Sequence, residues 1–263
     1  MKANYKNWVP RGLLFLFSSM AIICLAVCAV FGIAGVATDG GLRIALGVLF
    51  GAAFLLFAAL TGIFANMYCA FSYNGKRQLS KRVIEGVANY VTLPDGGKGL
   101  DVGCGSGALT IACAKRNPNG EMVGIDRWGR EYASFTLPLC ESNARAEGEN
   151  NASFLRGDAV KLDFPDGTFD AVTSNYVYHN IAGKDKQRLL LETLRVLKKG
   201  GTFAIHDIMS PRHYGDMEAF VNKLNEEGYE RVELIDTANG MFLSAKESRM
   251  CMLSHSKLLV GKK

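Results

Sequence analysis

The amino-acid sequence predicts an α/β protein: an open, mostly parallel β-sheet with helices on both faces, preceded by an N-terminal transmembrane α-helical hairpin. Three observations predict it. Residues 12–37 and 44–70 are two long apolar runs without a charged side chain. From residue 99 onward, short apolar stretches typical of strands alternate with longer stretches typical of helices. A turn rich in glycine, at 103–107, follows the first of these strands, which is where an α/β sheet binds its ligand.

Composition limits the classes of function. The chain has 263 residues and a formal net charge of +5, enough length for one large domain and an appendage. Lys and Arg are concentrated beside the apolar runs and no nucleic-acid-reading signature is present, so we expect no nucleic-acid partner. The seven cysteines form no CxxC pair, and no metal-ligand cluster stands out. This pattern predicts no metal site and is typical of a reducing compartment.

The two apolar runs predict a membrane hairpin. Each exceeds the roughly 20 residues that cross a bilayer as a helix, and the connecting "TDGGLR" is short and turn-forming. A cleaved signal peptide or a pair of buried core helices is the alternative interpretation. Small residues in the second run allow close helix packing in lipid. They would also allow a homodimer through the hairpin.

Basic side chains flank the hairpin on its two outer ends and set its orientation. They are Lys2, Lys6 and Arg11 before the first run, and Lys76, Arg77, Lys81 and Arg82 after the second. The positive-inside rule therefore places both termini in the cytoplasm and makes the chain an integral protein of the cell membrane. We expect residues 1–11 to be a cytoplasmic N-terminus, 12–70 the hairpin, 71–92 an amphipathic linker helix and 93–263 the α/β domain.

The spacing of apolar residues predicts each element of that domain. Strands are expected at "GLDVG", "EMVGID", "ASFLRGD", "FDAVTSNY" and "GTFAIHDI", with two more near 231–236 and 249–261. Helices are expected at "ALTIACAKR", "REYASFTLPLCESNARAEG" with a kink at Pro138, "KQRLLLETLRVLKKGG", and near 215–227.

The glycine-rich turn predicts a nucleoside-containing cofactor. Gly103, Gly105 and Gly107 allow positive φ and close approach of a ligand to the backbone, and the following helix offers free N–H groups to a negative group. Together with Ala108 the turn satisfies G-x-G-x-x-G/A, and Asp126 follows about 20 residues on. The glycines alone do not separate NAD from another adenosine cofactor.

Four segments together resemble the class I S-adenosylmethionine-dependent methyltransferases, especially the branch that modifies quinones and lipids. They are "LDVGCGSG", "VGIDRWG", "RGDAVKLDFPDGTFDAVTSNYVYHNI" and "LRVLKKGG". The resemblance extends over about residues 72–263. It implies a Rossmann-like, mostly parallel seven-stranded sheet, S-adenosyl-L-methionine as the cofactor and S-adenosyl-L-homocysteine as its product.

The resemblance also implies roles at the cofactor. Asp126 would accept hydrogen bonds from the two ribose hydroxyls. Asp158 would bind the adenine amino group, with the backbone of Ala159 at the ring edge. Asp101 and the glycine turn would hold the methionine end, and Asn175 would shape the methyl end. The other cofactor candidates are Cys104, Arg127, Trp128 and Tyr73. For three of these residues a purely structural role is the alternative. Asp158 could cap a strand end, Trp128 could be a core residue, and Cys104 could be a small residue that fills space in the turn.

Methyl transfer from a sulfonium needs alignment and, where the acceptor carries a proton, a base. The segment after the fourth strand predicts that Tyr176, Tyr178 and His179 line the acceptor side, with His179 as the base. A structural histidine at the start of a helix is the alternative. His206 and Asp207, adjacent in sequence, form a second candidate pair.

A membrane hairpin on a domain with a water-soluble cofactor favours an acceptor that resides in the bilayer, where anchoring raises its effective concentration. We therefore expect methyl transfer to a membrane lipid or another lipophilic acceptor at the cytoplasmic face. Methylation of a small lipophilic thiol, phenol or quinone is the alternative, as is a non-catalytic, membrane-tethered sensor that binds S-adenosylmethionine. An NAD-dependent oxidoreductase fits less well, because the chain has no second substrate domain.

Overall fold

The computed structural model describes residues 2–129 and 133–263. They divide into two compact units. Residues 7–80 form the first, which we call the anchor unit. Residues 2–6 together with 81–263 form the second, which we call the sheet unit.

The anchor unit is a pair of apolar helices. Helix α1 (Arg11–Val27) continues as a π-helical segment (Cys28–Ile33), and α2 spans Gly40–Phe71. Arg11 donates to the Tyr68 hydroxyl at 2.6 Å, joining the start of α1 to the end of α2, so the two helices run antiparallel. Both apolar stretches, of 23 and 32 residues, are long and apolar enough to cross a bilayer. The two predicted helices are therefore present, at nearly the predicted bounds.

The far end of this pair depends on glycine. A Cβ on Gly32 would lie 2.5 Å from the Cα of Gly47, so only hydrogen fits between the two backbones. The Arg43 guanidinium donates to the carbonyls of Gly32 and Ile33, which satisfies backbone acceptors that the end of the π-helical segment leaves open.

The sheet unit contains seven strands, and helices separate most of them. The strands are β1 (Lys98–Val102), β2 (Glu121–Asp126), β3 (Ala152–Arg156), β4 (Phe169–Asn175), β5 (Leu197–Ile208), β6 (Glu230–Asp236) and β7 (Ser256–Lys262). The helices are α3 (Leu79–Ala88), which begins at the end of the anchor unit, then α4 (Ala108–Arg116), α5 (Leu137–Glu147), α6 (Lys186–Arg195), α7 (Pro211–Tyr214), α8 (Met217–Glu226) and α9 (Ala245–Met250), with a 3₁₀ turn at Tyr178–Asn180.

The strand order is β3-β2-β1-β4-β5-β7-β6. Every neighbouring pair is parallel except the two made by β7, which is antiparallel to β5 and to β6. The order reverses between β1 and β4, and right-handed crossovers running in opposite directions place the connecting helices on opposite faces. This confirms the predicted Rossmann-like, mostly parallel seven-stranded sheet. It also locates the expected ligand edge, at the carboxyl ends of β1 and β4.

The segment around Pro138 differs from its prediction. Helix α5 begins at Leu137, and the Thr136 hydroxyl caps it by accepting the Leu139 N–H at 3.3 Å. Pro138 therefore lies in the first turn, where a helix has no use for its missing N–H. The predicted kink is wrong. Residues 130–132, which the prediction placed in the same helix, lie outside the described residues.

The end of α6 also differs. The leucine spacing predicts a helix that continues to Gly200, but α6 ends at Arg195 and β5 begins at Leu197. Leu197 is buried and pairs in register with Phe169 of β4. Residues from Leu197 onward therefore form a strand, because pairing with β4 outweighs their local preference for helix.

The main core of the sheet unit packs around the central strands and helices α6 and α8. Its members include Leu100, Val172, Leu190, Phe203 and Phe220, each almost completely buried. This core supports the central strands, and the ligand edge lies at their carboxyl ends.

Candidate functional site

The turn between β1 and α4 requires glycine at two positions. Gly103 has a φ of 75° and Gly107 a φ of 80°, both in the left-handed region. A Cβ on Gly103 would lie 2.3 Å from Val177, and one on Gly107 would lie 2.8 Å from the Phe154 ring. Gly107 is also the N-cap residue of α4, so the turn presents a helix N-terminus at the ligand edge.

Asp126, at the end of β2, braces this turn. Its Oδ2 accepts the backbone N–H of Gly105 at 2.9 Å, and its Oδ1 accepts that of Trp128 at 2.7 Å. The indole N–H of Trp128 donates back to the Gly105 carbonyl at 3.0 Å. A carboxylate has about four acceptor positions, so two remain for ligand hydroxyls. Trp128 is half-buried against the turn and is not a core residue.

Asp101 is buried at the end of β1. It accepts the Thr110 hydroxyl at 2.7 Å. Burial raises the pKa of Asp101 to about 7, although the hydrogen bonds from Thr110 oppose this. The structure thus gives this carboxyl a bracing role beneath α4, and its predicted contact with the methionine end stays a prediction.

The strand register brings three of the predicted residues to one face. Asp101 pairs with Gly124 on one side and with Thr173 on the other. Side chains two residues apart on a strand share a face, so Asp126 and Asn175 lie on the face that carries Asp101. The ligand edge thus carries a turn with glycines at positive φ, an open helix N-terminus and carboxylates. These groups fit a cofactor with ribose hydroxyls and a cationic amino-acid end.

The other cofactor candidates are placed less closely together. Asp158, exposed after β3, accepts the Val160 N–H at 2.9 Å in a tight turn, and Ala159 is half-buried against the core. Arg127 is exposed. Cys104 is buried, and its burial next to Cys140 raises the pKa of the thiol well above its usual range. The last candidate, Tyr73, belongs to the anchor unit, and its role stays a prediction.

His179 and Asp207 form a pair at the ends of β4 and β5. The Nδ1 of His179, in the 3₁₀ turn, lies 2.5 Å from Oδ1 of Asp207. The Asp207 side chain is fully buried, whereas that of His179 is 24% exposed. Burial would raise the pKa of Asp207, but the hydrogen bond and charge of His179 and the N–H of Ile208 outweigh it and hold the pKa below its usual value. An ionised Asp207 fixes the His179 proton on Nδ1 and leaves the Nε2 lone pair for a ligand proton.

The two tyrosines differ. Tyr178 is completely buried in the main core, with its hydroxyl 2.6 Å from that of Thr193, so it does not line the acceptor side as predicted. Tyr176 is half-buried, and its ring lies 6.1 Å edge-on from His179. Burial raises the pKa of both phenols above their usual value. Neither phenol is a base near neutral pH. The place of Tyr176 on the acceptor side stays a prediction.

The second predicted pair is not formed. His206 hydrogen-bonds Asn175 and Thr237 at 2.7 and 2.8 Å, while the neighbouring Asp207 pairs with His179 instead. Successive side chains on a strand point to opposite faces, so His206 and Asp207 cannot act together.

Three residues of this region were missed by the sequence reasoning. Thr237 and Ser256 reach the site through β6 and β7, and no local motif marks them. Asn143, on α5, is buried and donates to the Ser106 carbonyl of the glycine turn at 2.9 Å. The same amide also pairs with the backbone of Asn4 at 2.7 and 3.1 Å, which attaches residues 2–6 to the sheet unit.

Known proteins resemble this chain in sequence. A family model described as a methyltransferase domain matches residues 93–250. A demethylmenaquinone methyltransferase of Roseiflexus sp. (strain RS-1) is 32% identical over 120 residues, 46% of this chain and 46% of that protein. One from Geobacillus kaustophilus (strain HTA426) is 30% identical over 161 residues, 61% of this chain and 64% of that protein. Such aligned stretches span about half the length of the curated relatives.

The fold is shared with solved structures at low identity. Phosphoethanolamine N-methyltransferase 2 of Haemonchus contortus, in complex with S-adenosyl-L-methionine, superposes with a TM-score of 0.52 at 17% identity, covering 77% of this chain and 57% of that one. The family match covers more than half of the chain and includes the glycine turn, Asp126 and the His179–Asp207 pair. By its methyltransferase domain, the chain belongs to the S-adenosylmethionine-dependent methyltransferase family.

Proposed function

We propose that this protein methylates the hydroxylated ring of a lipophilic acceptor, a quinol or phenol, at the cytoplasmic face of the membrane. The observation that carries the proposal is the His179–Asp207 pair at the ligand edge of the sheet. An acceptor with an acidic hydroxyl needs a base, and this pair supplies one beside the glycine turn.

The cofactor would be held by the face that carries Asp101 and Asp126. Asp126 would bind the ribose with the acceptor positions that the turn leaves open, and Asp158 and Ala159 would contact the adenine. When bound, S-adenosylmethionine supplies an electrophilic methyl group on a sulfonium and leaves as S-adenosylhomocysteine. Asn175, at the end of β4, would lie at the methyl end.

His179 would act on the acceptor directly. The acceptor O–H bond breaks, and its proton moves to Nε2 of His179. The buried Asp207 carboxylate stabilises the imidazolium that results. Loss of the proton makes both the oxygen and the adjacent ring carbon of a quinol nucleophilic. If the carbon takes the methyl group, its own hydrogen then leaves as a proton to water and the ring becomes aromatic again. Tyr176, whose phenol stays neutral, would pack against the acceptor beside His179.

The lipophilic acceptor is supported by the anchor unit and by the relatives. Most large apolar side chains that are exposed in the described residues lie between Phe15 and Ile63, where a bilayer would cover them. The relatives named demethylmenaquinone methyltransferase suggest an acceptor of the quinone class. The basic residues that flank the hairpin favour a cytoplasmic sheet unit.

A label-transfer assay tests the proposal. The detergent-purified protein is incubated with methyl-labelled S-adenosylmethionine and a prenylated 1,4-naphthoquinol in mixed micelles. We expect label in the organic phase, its loss with Asp126→Ala, and its retention with Asp163→Ala, an exposed aspartate that serves as the control. Label that stays in the aqueous phase with the naphthoquinol but enters a membrane lipid extract would replace the quinol with another lipid acceptor.

A further inference from the structure

The segment 237–255, which we call the β6–β7 insertion, lies at the ligand edge of the sheet. It follows the end of β6, and β7 then begins at Ser256, opposite Ile208, the last residue of β5. Because β5 and β6 both run antiparallel to β7, their carboxyl ends lie at the same edge. The insertion therefore lies at the edge that carries the His179–Asp207 pair.

Contacts with two elements of the sheet unit hold the insertion in place. Phe242 is buried, and its ring lies 5.5 Å from that of His206 on β5. A Cβ on Gly86 of α3 would lie 2.4 Å from the Phe242 ring, so the two elements are in close contact. Glu247, in α9, pairs with Arg82 of α3 at 3.0 Å. The outer surface of the insertion therefore has a defined shape.

That outer surface is rich in exposed methionine. Met241, Met250 and Met252 are 44%, 41% and 68% exposed. Outside the anchor unit, Leu155 is the only other large apolar residue with comparable exposure among the described residues. Methionine is flexible and polarisable, and it suits surfaces that adapt to irregular partners. Three such side chains in one insertion indicate a surface that an apolar partner covers.

Met252 occupies a position where the end of a helix usually has glycine. The Leu253 N–H donates to the Ser248 carbonyl at 2.7 Å. The Met252 N–H donates to the Arg249 carbonyl at 3.3 Å, which completes a Schellman motif at the end of α9. This motif needs a left-handed φ, and Met252 has a φ of 58°. Glycine would adopt this conformation without strain, so the exposed methionine is present at a cost in stability.

Two basic side chains lie beside the methionines. Lys246 and Arg249, both on α9, are exposed, and neither makes an ion pair within the part of the chain that the structure describes. The insertion contains one acidic residue, Glu247, whose charge Arg82 balances. The remaining charge of the insertion is positive and complementary to anionic lipid headgroups. Apolar and basic side chains together are typical of a segment that lies in a membrane interface.

We propose that the β6–β7 insertion docks on the surface of the bilayer, with its three exposed methionines at the boundary of the acyl chains and Lys246 and Arg249 at anionic headgroups. The inference deepens the proposed function and rests on it for the membrane and the lipophilic acceptor. Docking there brings the ligand edge to the bilayer. The head of an acceptor can then reach His179 while its chain stays among the lipids.

Spin labels measure the docking directly. Full-length protein with Met252→Cys is labelled after Cys28 and Cys69 are replaced by serine, because the other cysteines are buried. It is placed in nanodiscs of phosphatidylcholine with or without phosphatidylglycerol. Leu155→Cys, on the edge strand β3, is the matched control. We expect the label at position 252 to be more accessible to oxygen than to a water-soluble nickel chelate, and the label at position 155 to show the opposite.

The charged side chains are tested in the same nanodiscs. Phosphatidylglycerol should move the label at position 252 deeper, and Lys246→Gln together with Arg249→Gln should remove this dependence on anionic lipid. Equal access of the nickel chelate to positions 252 and 155 in both nanodiscs would overturn the proposal, and the methionines would then be assigned to a protein partner.

A substitution by glycine separates docking from folding. Met252→Gly relieves the left-handed φ, so the variant should be at least as resistant to denaturant as the wild type. Combined with Met241→Ser and Met250→Ser, it should raise the KM for the prenylated naphthoquinol in nanodiscs about tenfold. The affinity for S-adenosylhomocysteine and the KM for a naphthoquinol without a prenyl chain should not change.

An unchanged KM for the prenylated acceptor in the folded triple variant would contradict the docking. Failure of the proposed function would instead appear as no label transfer by the wild type, with the depth of the spin label at position 252 unaffected.

Discussion

Asp207 shows how one buried carboxylate can organise an edge of the sheet. Its Oδ2 accepts the backbone N–H groups of Tyr178 and His179 at 2.8 and 3.2 Å, and its Oδ1 accepts that of Ile208 at 2.6 Å. These bonds compensate the loss of water, so the carboxylate stays ionised although it is fully buried. The 3₁₀ turn and the orientation of the His179 ring therefore depend on the same side chain.

The first prediction concerns this pair. His179→Gln should lower kcat by about 10²–10⁴-fold, the usual contribution of a positioned base, while the affinity for S-adenosylhomocysteine stays near that of the wild type. Label transfer and calorimetry measure the two quantities. His213→Gln is the matched control, because His213 is exposed and hydrogen-bonds only Ser210 among the described residues. Equal activity of the two variants would remove His179 from the reaction.

The second prediction concerns Asp101. Since burial raises its pKa to about 7 in the fold, the folded state holds its proton more tightly than the unfolded state does. The contribution of Asp101 to stability is then complete below about pH 4 and is lost as the pH rises to about 7, up to about 4 kcal/mol. Asp101→Asn keeps an acceptor for Thr110 and removes the titration. We expect its unfolding midpoint to fall less than that of the wild type between pH 5 and pH 8, and parallel profiles would contradict this.

At the residue scale, the sequence predicts what is local. Asp101 and Asp126 are recognisable because they stand at fixed distances from the glycines. The partner of Asp207 is not recognisable in this way. His179 follows a different strand, whereas His206 is next to Asp207 in the sequence and suggests itself as the partner instead. The alternation of side chains along a strand excludes that pair, and the strand was itself correctly predicted. Thr237 and Ser256 carry no signal without the sheet order.

At the element scale, the junction of β1 and α4 requires glycine at position 103 for two separate reasons. Gly103 must adopt a left-handed φ, and it must also leave room for Val177, which follows β4. The need for a left-handed φ can be predicted from the glycine motif. The close approach of Val177 cannot, because β1 and β4 are neighbours only in the folded sheet.

The third prediction separates the cost of a left-handed φ from the cost of the contact with Val177. Gly96 has a φ of 70° and nothing within 4 Å of an added Cβ, whereas a Cβ on Gly103 overlaps Val177 at 2.3 Å. Gly96→Ala should therefore lose only about 1 kcal/mol, from strained backbone, and Gly103→Ala should lose a further 1–3 kcal/mol from overpacking. Denaturant unfolding measures both. Gly103→Ala should also weaken S-adenosylhomocysteine binding, and equal losses in the two variants would show that Val177 moves aside freely.

Element boundaries are where local pattern and tertiary context disagree. Pro138 predicts a kink only if the helix already exists before it, and α5 instead starts at Leu137. The leucines of α6 predict its face correctly, but the strand pairing of Leu197 with Phe169 shortens the helix. In both cases the existence and type of the element could be predicted, and its end depended on a partner elsewhere in the chain.

At the scale of the whole molecule, the chain consists of a two-helix anchor unit and a sheet unit of different surface chemistry. Apolar side chains exposed on the anchor unit, such as Phe15, Ile22 and Leu55, are typical of contact with lipid. The sheet unit carries many exposed ion pairs, among them Lys115–Glu147 and Lys262–Glu230. A homodimer through the hairpin stays a prediction.

The fourth prediction is the topology. A biotin-acceptor tag inserted after Asp39, in the turn between the two helices, should be inaccessible to a cytoplasmic ligase, and the same tag fused after Lys263 should be modified. The expectation follows from the basic residues that flank the hairpin on its outer ends. Western detection of biotin in the two fusions measures it. Modification of both tags would mean that the hairpin does not cross the bilayer.

The position of β7 has a consequence for the order of events during synthesis. This strand lies between β5 and β6 although it follows both along the chain. The anchor unit leaves the ribosome before any strand of the sheet unit, and domains form progressively from the N-terminal side. The hydrogen bonds of His206 with Thr237 and of Tyr176 with Ser256 need β7 in place between two strands made earlier. Ser256 belongs to β7, and Thr237 follows β6, which joins the sheet only through β7. The sheet unit is therefore completed only at the end of synthesis, when its last strand takes its place between two strands made earlier. Until then the edge of β5 that β7 covers stays open to pairing with any other strand it meets.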